Sequence, residues 1–109
     1  MGTPQEYFEE IIAGFMVQDP AISAGNLFGK PCAKLDGKAF VAFFQDEMVF
    51  RLDAGRCQEI IAANTACRLF DPSGKGRPMK EWVQVPLGVL DWEELANAAL
   101  SLLRARMAV

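Results

Sequence analysis

Cys32-Ala33-Lys34-Leu35-Asp36-Gly37-Lys38-Ala39-Phe40-Val41-Ala42-Phe43-Phe44-Gln45-Asp46-Glu47-Met48-Val49-Phe50-Arg51-Leu52 is the stretch on which the fold turns. Asp36-Gly37 separates two apolar runs, Cys32 to Leu35 and Lys38 to Phe44. Asp-Gly in that setting is a strong hairpin signal, because a tight type I′ turn requires positive φ at both central residues. A second short turn at Gln45-Asp46 leads into Glu47 to Leu52, where Met48, Phe50 and Leu52 alternate with Glu47, Val49 and Arg51. Three consecutive antiparallel strands follow from this stretch alone.

Working outward, Thr3-Pro4-Gln5-Glu6 announces a helix. Thr3 is a good N-cap, Pro4 suits the first helical position, and Glu6 completes a capping box. Tyr7, Phe8, Ile11, Ile12 and Phe15 recur at helical spacing, and Asp19-Pro20 ends the run. Gly25-Asn26-Leu27-Phe28-Gly29-Lys30-Pro31 reads as an irregular, glycine-punctuated approach to the sheet. Asp53 caps a short helix over about residues 54–64, with Cys57, Ile60 and Ile61 inward. Cys67 to Phe70 and Met79 to Val85 read as two more strands, joined by the loop Asp71-Pro72-Ser73-Gly74-Lys75-Gly76-Arg77-Pro78. Asp91 is the N-cap of a last helix, with Glu94 three residues on and Leu95, Ala99, Leu102 and Leu103 as its stripe. The fold class is therefore α+β. The expected architecture is a two-layer sandwich with an antiparallel sheet of about five strands and three helices, order αβββαββα. Residues 1–109 suffice for one domain with its own core.

Composition narrows the function classes. Apolar residues make up 51% and charged residues 23% of the chain, as in ordinary globular proteins. The longest apolar run, Ala39 to Phe44, is far short of the about 20 residues that span a bilayer, so no membrane association is expected. The N-terminus has no basic and apolar signal pattern, and three cysteines, an odd number, suit a reducing compartment. Both point to the cytoplasm. Net charge is −3, which disfavours a nucleic-acid partner, since such binding runs on phosphate neutralisation by a basic surface.

Histidine is absent, which removes the commonest general base and the commonest metal ligand. Cys32, Cys57 and Cys67 form no zinc-ligand spacing, and no cofactor or metal is expected. The adjacent carboxylates Glu9-Glu10, Asp46-Glu47 and Glu93-Glu94 point to different sides of their elements and make no paired acid site. Gly74-Lys75-Gly76 departs from a P-loop: Leu69 stands where the first glycine belongs, Gly76 follows the lysine, and a strand comes next. What remains is a loop with Lys75, Arg77 and Lys80 whose amides are candidates for an anion nest. Neither an enzyme nor a catalytic residue is indicated.

Several segments together carry a resemblance: Leu27-Phe28-Gly29, Asp36-Gly37-Lys38-Ala39-Phe40, Asp46-Glu47-Met48-Val49-Phe50, the run from Gly76 to Pro86, and the helix after Asp91. The chain resembles the TfoX N-terminal domain family, found in bacterial competence regulators and in stand-alone proteins. The resemblance implies a fold and a regulatory, non-enzymatic setting, and supplies no catalytic residues. It departs at Lys30-Pro31-Cys32, where the family has a glycine-rich stretch. The regulators' C-terminal helical domain does not follow before Val109, so the resemblance does not extend to their transcriptional role. The expected function is an interaction domain, a homodimer or a module for a protein partner. The alternative is nucleic-acid or phosphate-ligand binding through Lys75 to Lys80. The expected interface is the sheet face that three helices cannot cover, with Val41, Phe43, Val49 and Trp82 as its residues.

Overall fold

Three two-residue turns build the first half of the molecule. Phe28-Gly29, Asp36-Gly37 and Gln45-Asp46 all have positive φ, at 51° and 76°, 49° and 82°, and 55° and 62°. Two positive φ values match the right-handed twist of the flanking strands, so each turn closes a tight hairpin. The computed structural model describes residues 2–108. The strands so joined are β1 (Ile22–Leu27), β2 (Lys30–Leu35), β3 (Lys38–Phe44) and β4 (Glu47–Arg51). The Asp36-Gly37 and Gln45-Asp46 turns are those the sequence predicts. The strand β1 is additional: the segment expected to be irregular pairs with β2 along its length, from Ile22 opposite Leu35 to Leu27 opposite Lys30. Ile-Ser-Ala-Gly-Asn-Leu is poor in β-branched and aromatic residues, so its strand is imposed by its neighbour and not by propensity.

The remaining elements are α1 (Pro4–Gln18), α2 (Ala54–Ala63), β5 (Arg68–Phe70), β6 (Met79–Val85) and α3 (Trp92–Met107). The order is αββββαββα, an α+β fold with six strands where about five were expected. The sheet is antiparallel throughout, in the order β1-β2-β3-β4-β6-β5. Thr3 and Glu6 form the expected capping box, and Asp53 and Asp91 cap α2 and α3. All three helices contribute to one core with one sheet face. Phe8 of α1 stacks on Phe43 at 5.2 Å between ring centroids, and Phe15 meets Phe40 edge-on at 5.9 Å. Ala33 lies opposite Val41 and Lys34 opposite Ala39, which leaves Phe40 as a bulge. The extra residue lets both Phe40 and Val41 join the helix-side core. Trp92 is buried at the start of α3, donates its indole N–H to the Val85 carbonyl at 3.0 Å, and stacks on Tyr7. Among the described residues no helix is long and apolar enough to cross a membrane.

The other sheet face carries no helix, yet it is not an exposed apolar patch. Cys32, Ala42, Val49, Phe70 and Trp82 are all buried there, with Leu27, Ala39, Phe44 and Met79 around them. The middle of this face is small, Cys32, Ala42 and Val49, and the rings of Phe44, Phe70 and Trp82 converge over it. Leu69 pairs with Val83 whereas Phe70 pairs with Met79, so β6 carries an irregularity over residues 80–82, where the extra residues bend the strand. Cations roof the rings: the Lys30 ammonium lies 5.0 Å from the Phe44 centroid and the Arg51 guanidinium 5.9 Å from Trp82.

The four residues expected at an exposed face are accordingly divided. Val41 and Phe43 point to the helix side, where Val41 is fully buried and Phe43 lies under Phe8. Val49 and Trp82 point to the open side and are buried by the curl of the sheet. The expectation overlooked that side chains on one face can cover one another when the sheet bends and its centre is small.

Candidate functional site

The loop between β5 and β6 is organised by one carboxylate. Oδ1 of Asp71 accepts from the Ser73 hydroxyl at 2.8 Å and from the Gly74 amide at 3.1 Å. Its Oδ2 accepts from the amides of Gly76 at 3.0 Å and Arg77 at 3.2 Å. The Lys75 amide donates to the Ser73 hydroxyl at 3.1 Å. Gly74 and Gly76 take positive φ, 67° and 74°, which turns successive amides to one side. Three amides of the loop thus converge on the chain's own Asp71, so the amides that the sequence offered to a bound anion already have an internal acceptor. Hydrogen bonds from Ser73 first, then from Gly76, Arg77 and Gly74, hold the Asp71 carboxyl below its ordinary value. Lys75, Arg77 and Lys80 are exposed, and none of them is in an ion pair among the described residues. They form a small basic patch without free nest amides beneath it.

Beside this loop lies a cleft of about 440 Å³ whose walls include Lys30, Phe44, Gln45, Arg68 and Gln84. Gln84 is buried, and its amide donates to Glu47 Oε1 at 2.7 Å. Arg68 bridges the same Glu47 oxygen at 3.1 Å and donates to Gln45 at 3.3 Å. Gln84, Glu47, Arg68 and Gln45 satisfy one another here. The three thiols lie elsewhere in the core: burial pushes all of them up, Cys57 to about 11, so they stay protonated. Among the described residues no three metal-ligating side chains come together.

The second candidate is the free edge of the sheet. β1 has a partner on one side only. Its sequence, Ile22-Ser23-Ala24-Gly25-Asn26-Leu27, has no charge and no proline, the residues by which natural edge strands usually discourage further pairing. Three of the four large apolar side chains exposed among the described residues flank it: Met16 and Val17 at its start, and Phe28 at its end. An apolar groove of about 250 Å³ between α1 and β1, lined by Phe8, Ile12, Met16 and Ala24, runs along the same edge. The corner from α1 into β1 is firmly held. Asp19 accepts from the Ala21 amide at 2.9 Å and from Arg104 of α3 at 2.8 Å, which together keep its carboxyl below the ordinary range. The edge was missed in the sequence because β1 was not legible as a strand. Phe28, an aromatic residue inside a glycine-containing turn, was the one signal that could have revealed it. No family model, no curated protein and no solved structure matches the chain.

Proposed function

We propose that the chain is an interaction domain that works by binding another polypeptide along β1, and not by catalysis. The observation that carries this reading is the uncharged, proline-free edge strand with Met16, Val17 and Phe28 exposed at its two ends. Such an edge offers unpaired backbone donors and acceptors, and an added strand satisfies them. The protonated, buried thiols and the self-satisfied polar cleft favour binding over nucleophilic chemistry. The resemblance to the TfoX N-terminal domain family supports a regulatory setting, and three free thiols suit the cytoplasm. A second reading, binding of nucleic acid or a phosphate ligand, rests on the exposed cations Lys75, Arg77 and Lys80. It is weaker because Asp71 already fills the nest.

The two readings separate by photo-crosslinking in cells, with a benzophenone side chain placed at Ala24 or at Lys75. Polypeptide adducts from position 24 and none from position 75 support the interaction reading. Nucleic-acid adducts from position 75 with none from position 24 overturn it.

A further inference from the structure

We infer that the polypeptide that binds β1 is a second copy of this chain, joined edge to edge and antiparallel about a two-fold axis that passes between Ala24 and the partner's Ala24. This rests on the reading of β1 as the working edge. The two sheets then continue as one across about six new main-chain hydrogen bonds.

Phe28 is the first support. It holds φ at 51° and is 60% exposed. A bulky residue at positive φ is strained, and an exposed ring gains nothing from burial. The β1–β2 hairpin offsets the first cost, but the folded monomer leaves the side chain largely in solvent. Symmetry is the second support. A two-fold interface must be complementary to itself, so that each residue meets its counterpart reciprocally. With the axis between the two copies of Ala24, Ile22 lies opposite the partner's Asn26, on the same face of the joined sheet, and Phe28 falls opposite the partner's Pro20, beside the α1–β1 corner. There it meets the partner's Met16 and Val17, while the partner's Phe28 meets this copy's Met16 and Val17. One operation therefore covers three of the four exposed apolar side chains.

Charge and area agree. The strand itself carries no charge to repel its copy. The nearest cation, Lys34, lies over the open face of the sheet, where its Cε would sit 3.1 Å from a Cβ at Gly25, and not in the plane of the new hydrogen bonds. Six residues at about 3.3 Å each make a seam of roughly 20 Å. The molecule is 25 Å deep along its shortest axis. A seam of that length across that depth buries at most about 1,000 Å² in total, at the lower limit for a specific interface, so the dimer is weak and reversible.

Sedimentation equilibrium of the full chain, from about 1 to 100 µM, tests this. The expected result is a reversible monomer–dimer equilibrium. Ala24→Lys, which sets two ammonium groups beside the axis, and Phe28→Asn should each weaken association at least tenfold. Asparagine tolerates positive φ, so Phe28→Asn should keep or raise the unfolding midpoint while association falls. Lys75→Ala should leave the dimer unchanged. A wild-type monomer throughout, or a dimer indifferent to both edge substitutions, overturns the self-pairing. If position 24 still crosslinks to a different polypeptide while the chain is monomeric, only the identity of the partner falls and the interaction reading stands.

Discussion

Asp53, Asp71 and Asp91 use one piece of chemistry, a carboxylate accepting backbone amides, in two settings. Asp91 accepts from Glu93 and Glu94 at 3.0 and 3.2 Å and starts α3. Asp91→Ala should cost about 1 kcal/mol, read as a lower urea midpoint with an unchanged slope. Asp71 gathers three amides and a hydroxyl in a loop, where no helix dipole assists it. Asp71→Ala should accelerate hydrogen exchange at the Gly74, Gly76 and Arg77 amides, with the strands on either side unchanged. The same carboxylate makes the loop acid-sensitive. Its native pKa lies below the ordinary 3.8, so the unfolded chain takes up the proton first. Its stabilising contribution is complete above that ordinary value and disappears as the pH falls through the lower native one. Following the Asp71 carboxyl and the three amides together by NMR should show them titrating in step. A carboxyl that titrates at or above 3.8 would contradict the nest.

At the scale of elements, the β5–β6 loop and β1 make opposite demands on the body. The loop's hydrogen bonds close on themselves through Asp71, and residues 73–78 are exposed. Replacing Ser73 to Pro78 with a short turn should leave a cooperative transition and change stability by about 1 kcal/mol or less. Aggregation of that variant would mean that the loop also shields the ring cluster of Phe44, Phe70 and Trp82. β1, in contrast, depends wholly on its neighbour. Its strand character comes from pairing with β2 and from packing against α1. Its amides should therefore be the least protected of the four hairpin strands at low protein concentration, and gain protection as the concentration rises.

The whole molecule has two unequal cores on one sheet. The larger lies under three helices, and the smaller is closed by the sheet's own curvature. Val41 and Val49 sample one each, and both are fully buried. Val41→Ala and Val49→Ala should each cost about 2 kcal/mol, measured by urea denaturation. A neutral Val49→Ala beside a costly Val41→Ala would show that the helix-free face is not a core at all.

Local physics made most of this fold legible before any tertiary contact was known. Asp36-Gly37 encodes its hairpin because only certain residues tolerate positive φ, and Thr3, Asp53 and Asp91 mark helix starts because only certain side chains reach back to orphan amides. The helical spacing of Phe8, Ile11, Ile12 and Phe15 reports burial directly, whereas the alternation in β4 separates the two faces without reporting that Val49 is as buried as Met48 and Phe50. The connection from Asp71 to Pro78, too, is legible as a loop from its glycines and prolines. Tertiary structure alone decided three things. It made Ile22 to Leu27 a strand, because pairing energy there outweighs weak propensity. It placed Val41 and Phe43 on one face and Val49 and Trp82 on the other, and buried both pairs, because strand register and sheet curvature are non-local. It filled the nest with Asp71, because which anion a ring of amides captures depends on the distance a folded loop leaves between them.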